Sequence, residues 1–189
     1  MKDEEKMHSR RLNDLAMRLL VDRKFDAALV LFDLAIRETS VLWVKKARCL
    51  MDMGRFKAAL ESYKTALRLD HDSPELLIEL GRVMFKLGMF KEAIAYFEGA
   101  MQLDPGFRPG LGWFNKACAY SAMEKKGEAL ASLKKAFEMN PEATLSALET
   151  SESFDRYRND HDFRRLVGLY RHPDEGGMEE TRPELSYFA

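Results

Sequence analysis

The chain has 189 residues and a mass of 21.8 kDa, enough for one compact domain or a short array of small repeated units. Hydrophobic residues make up 46% and charged ones 32%, with eleven glycines and six prolines, a balance that excludes a disordered, collagen-like or disulfide-stapled chain. Thirty basic and 31 acidic side chains leave a net charge of −1, so no global field favours nucleic acid or anionic lipid.

Residues 1–8 read as an amino-terminal extension; Met-Lys-Asp-Glu-Glu-Lys-Met-His has no apolar core and does not read as a secretory signal. Apolar residues then recur at three- and four-residue steps. The spacing predicts helices near 8–21, 25–38, 40–53, 57–69, 74–87, 91–103, 110–123 and 126–139. Ser73-Pro74-Glu75 and Asn140-Pro141-Glu142 each supply an N-cap side chain, a proline at the first helical position and an acid on the positive helix end. Gly54 and Gly88 fall at turns, where a left-handed residue commonly ends a helix. The longest wholly apolar stretch, Ala27 to Phe32, is far short of the roughly 20 residues of a membrane span. The two cysteines, Cys49 and Cys118, sit inside helical patterns, and the expectation is reduced thiols in a cytoplasmic protein.

The pattern repeats. Gly54–Asp70 aligns without a gap to Gly88–Asp104, an offset of 34 residues, with Phe56, Ala59, Tyr63 and Ala66 against Phe90, Ala93, Phe97 and Ala100. Phe25, Ala28, Phe32 and Ala35 fit the same stripe upstream; Ala129, Leu133, Ala136 and Pro141 fit it downstream. Each stripe follows another: Leu12, Leu15, Ala16 and Leu19; Trp43, Ala47 and Leu50; Leu77, Leu80, Gly81 and Met84; Trp113, Ala117 and Tyr120. Every unit therefore reads as two antiparallel helices joined by a short turn.

On these residues the chain resembles the tetratricopeptide repeat family over about residues 9–141, with repeats at 9–39, 40–73, 74–109 and 110–141. It departs from that family's pattern where Arg23 and Glu124 replace the turn glycine, Lys46 and Lys116 a leucine, His71 a proline and Lys126 an aromatic residue. The periodicity alone implies an all-α stack of helical hairpins. The resemblance adds a right-handed α-solenoid with a concave inner surface.

Such a stack exposes an apolar face at its last unit unless something covers it. Residues 142–172 are read as carboxy-terminal capping helices: Leu145 and Leu148 open one, and Phe163, Leu166, Val167 and Tyr170 form the stripe of another. Asp160 is its expected N-cap, Pro173 a stop signal, and Phe154 and Tyr157 anchors of the link. Residues 173–189 read as a flexible tail ending in Pro-Glu-Leu-Ser-Tyr-Phe-Ala, with enough apolar surface to dock.

At about 100° per residue, one set of positions on each first helix packs on the partner helix while a second set lies roughly 150° away. The second set should line the concave surface, as the resemblance also implies. It holds the apolar Met17, Leu20, Val41, Val44, Met51, Ile78, Phe85, Leu111 and Phe114. Arg10, Asn13, Asp14, Lys45, Arg48, Glu75, Glu79, Arg82 and Asn115 are interleaved among them. A helix apolar on both sides is either buried on both or keeps one for a ligand. Two readings follow: tight curvature covering these residues, or a groove for a peptide or helix of another protein, with Arg48 and Arg82 side by side to orient it. Pairing of the arginines with Glu79 or Asp52 is the competing role for them. Relatives that bind acidic chaperone tails carry a clamp of lysine, asparagine and arginine. The matching places here are Asn13, Met17, Lys45, Glu75 and Glu79, so that clamp is absent.

The case for catalysis is thin, and would need converging ionisable groups in a deep pocket. His8, His71, His161 and His172 lie apart, without metal-binding spacing. Gly106, Gly110 and Gly112 lack a P-loop lysine and a preceding strand. Arg10, Arg11, Arg18 and Arg23 are diluted by nearby acids and read as a solvated helix face rather than a nucleic-acid patch. The expectation is a non-catalytic scaffold that needs no cofactor or metal, with self-association through end faces or the tail as the second reading.

Overall fold

The computed structural model describes residues 2–35 and 40–171. Ten α-helices and one 3-10 turn account for its regular structure, with no strand among the described residues. In chain order they are α1 (Lys2–Val21), α2 (Phe25–Ala35), α3 (Ser40–Asp52), α4 (Phe56–Leu69), α5 (Pro74–Lys86), α6 (Phe90–Leu103), α7 (Leu111–Ala122), α8 (Lys126–Met139) and α9 (Pro141–Thr150), then the turn Glu152–Tyr157 and α10 (His161–Arg171). Helix α1 starts at Lys2, six residues before the apolar pattern does. The expected extension of α2 to residue 38, the Pro173 stop and the tail 173–189 lie outside the described residues.

Two compact units divide the chain at Phe107 and Arg108. The first is three hairpins, α1/α2, α3/α4 and α5/α6, stacked so that α2 meets α3 and α4 meets α5. Small side chains let the helices approach: Ala28, Ala47, Ala59, Ala66 and Ala93 have no exposed surface, and Phe32, Tyr63, Leu80 and Phe97 fill the layers between them. The second unit is the hairpin α7/α8, with α9, the 3-10 turn and α10 packed on it. Ser73 and Asn140 cap α5 and α9 through Leu76 N–H (3.3 Å) and Ala143 N–H (3.0 Å). Asp160 caps α10 through Phe163 N–H (3.1 Å).

All four hairpin turns close the same way. Lys24, Arg55, Met89 and Lys125 each donate a backbone N–H to the carbonyl five residues earlier, at 2.8, 2.8, 2.9 and 3.0 Å. The bond requires a left-handed residue just before the donor. Gly54 (φ 71°) and Gly88 (φ 77°) supply it at no steric cost, whereas Arg23 (φ 56°) and Glu124 (φ 61°) adopt it against their own preference. Helix packing on both sides, not the turn residue, therefore dictates the geometry.

The lysines that replace apolar family residues keep their stems in place and send their charges out. Lys46 lies over the Trp43 ring at 5.2 Å and bonds Asp33. Lys116 lies 4.9 Å from the Trp113 ring centre. Lys126 reaches the end cap, bonding Asp160 at 2.5 Å and Asp162 at 2.9 Å.

Candidate functional site

In the first unit, side-chain bonds run between the first helices of successive hairpins. Lys45 Nζ donates to Asn13 Oδ1 over 2.8 Å and joins α3 to α1. Arg48 Nη2 donates to Glu75 Oε1 over 2.6 Å and lies 3.5 Å from Glu79 Oε1, joining α3 to α5. Arg82 Nη1 meets Glu79 Oε2 at 3.2 Å, and the Tyr63 hydroxyl donates to the same oxygen from 3.5 Å. The fold thus brings Asn13, Lys45, Arg48, Glu75, Glu79 and Arg82 onto one face, although up to 69 positions separate them.

The charges are unequally placed. Glu79 is 7% exposed, while the Arg48 and Arg82 side chains are 49% and 56% exposed. One nearly buried carboxylate is neutralised by two half-solvated guanidiniums, and each guanidinium keeps N–H groups facing water. Burial, and then the nearby Glu79 charge, push the Tyr63 hydroxyl well above its ordinary value, so it stays a neutral donor. Tyr63 entered the sequence pattern as a core position; its polar tip in an otherwise small and apolar stripe was the available sign of a second role.

The apolar members of the set divide. Met17 is 40% exposed and Val41 60%. Leu20, Val44 and Met51 flank the core, half-buried. Phe85 stands edge-on to Phe90 with ring centres 5.4 Å apart. Ile78 is buried at 6% and contributes to packing rather than to the surface.

In the second unit the corresponding face of α7 is covered by the chain itself. Phe114 is buried with its ring 6.0 Å from that of Phe154. Cys118 Sγ lies 4.0 Å from Ser151 Oγ, and Ser121 donates to the Ser153 carbonyl. These three residues at i, i+4 and i+7 form one stripe, and the 3-10 turn fills it. Phe114 is therefore not an open lining residue in this structure. Beside it, Asn115 is half-buried, and its Nδ2 has no acceptor among the described residues.

Groups that could carry other chemistry are disarmed or scattered. Burial, then Asp52 and Asp26, push the Cys49 thiol up to about 11, and burial raises Cys118. His8, His71 and His161 are exposed, and His172 lies outside the described residues. No group of three His, Cys, Asp or Glu residues arranged for a metal ion occurs among the described residues. No helix there is long and apolar enough to cross a membrane.

Stacked helical hairpins, two of them at a 34-residue offset, with the first helices of the first unit bonded along one face, define a helical-repeat protein. Three family profiles match: a TPR repeat over residues 48–88, and a tetratricopeptide repeat over 74–107 and again over 112–142. The chain belongs to the tetratricopeptide repeat family. Among solved structures it is similar to MamA protein, at 17% identity over 93% of this chain and 98% of that one, with a TM-score of 0.69. It is also similar to YrrB, a TPR protein with an unusual peptide-binding site, at 24% identity over 71% of each chain and a TM-score of 0.61. A thermophilic TPR protein of Thermus thermophilus, TTC0263, matches at 21% identity over 88% of this chain and 93% of that one, with a TM-score of 0.63. These likenesses are likenesses of fold. No curated protein matches the chain.

Proposed function

We propose that the chain is a non-catalytic interaction scaffold whose first-helix face binds a peptide or helical segment of another protein. The observation that carries this reading is the row of bonded polar side chains running from Asn13 through Lys45, Arg48 and Glu79 to Arg82, flanked by the exposed Met17. A pre-bonded row is held in place before a guest arrives, which lowers the ordering cost of binding. Half-solvated guanidiniums offer N–H groups to backbone carbonyls or to a carboxylate that shares them with Glu79. The peptide-binding site named for YrrB agrees with this use of the fold.

The test is selection of ligands from a peptide library on the full chain, followed by titration against Met17→Glu and Val30→Glu. Val30 is 59% exposed on a second helix, away from this face. Selected peptides should bind Met17→Glu at least tenfold more weakly and Val30→Glu unchanged; equal effects at both positions would reject the face.

Self-association is the second reading, favoured by Leu15, Val21, Val30 and Leu34, which leave 48%, 83%, 59% and 62% of their surface in solvent on the first hairpin. A monomer by light scattering at high concentration removes it.

A further inference from the structure

The end cap contains a recess that the fold itself leaves unfilled. A cavity of about 510 Å³ opens between α9, the 3-10 turn and α10. Its floor is Leu148, Phe154, Phe163 and Val167, all buried from bulk water at 1–9% exposure. Its rim carries Arg158, Arg164 and Arg171 against Glu149. Arg158 is engaged by Asp155 at 2.7 Å, and Arg171 is 3.6 Å from Glu149. Arg164 is exposed, and its side chain has no hydrogen-bond or ion-pair partner among the described residues. An apolar floor under a basic rim selects a short segment with apolar anchors and flanking acids.

The sequence beyond α10 has that composition. Between residues 172 and 189 it carries Asp174, Glu175, Glu179, Glu180 and Glu184 against Arg182, and then Leu185, Tyr187 and Phe188. We propose that this recess is the docking site of the chain's own Glu184–Phe188 segment, apolar side chains on the floor and Glu184 against the rim. Reach is no obstacle, because Arg171, the last residue of α10, is itself on the rim. The 14 positions from Arg171 to Leu185 span about 20 Å as a random coil and up to about 46 Å extended. Gly176 and Gly177 let the chain reverse. A tether of that length holds the segment at an effective concentration on the order of millimolar, which favours it over an untethered peptide of similar chemistry.

The experiment uses the full chain, the triple variant L185A/Y187A/F188A, and a fluorescent peptide of residues 178–189 titrated at low salt. Emptying the recess should let the peptide bind the triple variant at least tenfold more tightly than the wild type. Adding Arg164→Glu or Arg164→Ala to the triple variant should weaken that binding at least fivefold. Arg82→Ala should leave it unchanged, which separates this site from the first-helix face of the first unit. Equal affinity for wild type and triple variant, no binding to either, or indifference to both Arg164 substitutions overturns the proposal. A wild-type dimer that the triple variant abolishes also overturns it, assigning the segment to the recess of a second copy.

Discussion

Gly81 of α5 lies directly against the ring of Phe97 on α6: a Cβ built on Gly81 would sit 2.6 Å from Phe97 Cδ1. The contact is where the third hairpin closes, and it shows why a glycine stands inside a helix, where it costs about 1 kcal/mol relative to alanine. Phe97 is 1% exposed and cannot swing into solvent. Gly81→Ala should therefore lower stability despite its better helix propensity, by about 1–2 kcal/mol once overpacking is set against that gain. Denaturant unfolding checks this; an increase in stability would mean the ring has room to move.

Arg23 and Glu124 hold left-handed backbone at φ 56° and 61°. A side chain there costs about 1 kcal/mol relative to glycine. Arg23→Gly and Glu124→Gly should each raise stability by about 0.5–1 kcal/mol, the loss of the exposed Glu124–Arg156 pair (3.0 Å) subtracting little. The reverse changes, Gly54→Arg and Gly88→Glu, should lower stability by a similar amount. Thermal melts of the four variants give both signs.

Glu79 is nearly buried while its partners Arg48 and Arg82 are half in solvent. Removing the arginines strands a carboxylate; removing the carboxylate lets the arginines return to water. Arg48→Ala with Arg82→Ala should therefore cost on the order of 2–3 kcal/mol, and Glu79→Gln about 1 kcal/mol. The reverse order in chemical denaturation would show that Glu79 is solvated well enough to need neither arginine.

Lys126 joins the hairpin α7/α8 to the cap of α10. Its ammonium holds the Asp160 and Asp162 carboxyls below the usual carboxylate range, with the Phe163 N–H assisting at Asp160. Folding lowers both values, so this contribution is complete above about pH 4, the unfolded value, and is lost as pH falls through the lowered folded ones. Below pH 4 the melting temperature of the wild type should fall more steeply than that of Lys126→Met. Parallel curves would show that the lysine contributes nothing there.

The helical hairpins, their turns and the capping residues Ser73, Asn140 and Asp160 were legible in the chain, because each depends on residues within one or two helical turns. Periodicity places Tyr63 and Phe97 inside, and a serine or asparagine before proline starts a helix wherever it occurs. The fate of the first-helix face was not legible in the same way. Arg48 and Arg82 read equally as anchors for a guest or as partners of Glu79 or Asp52 until α3 is laid beside α5 and Arg48, 31 positions away, closes on Glu79. Phe114 reads like Phe85, one repeat earlier, until the 3-10 turn brings Phe154 onto it. Local spacing alone determined which side of each helix is apolar. Which apolar side stays open, and which charge is free to meet a partner, was decided by contacts between segments far apart in the chain, whose pairing no short-range pattern encodes.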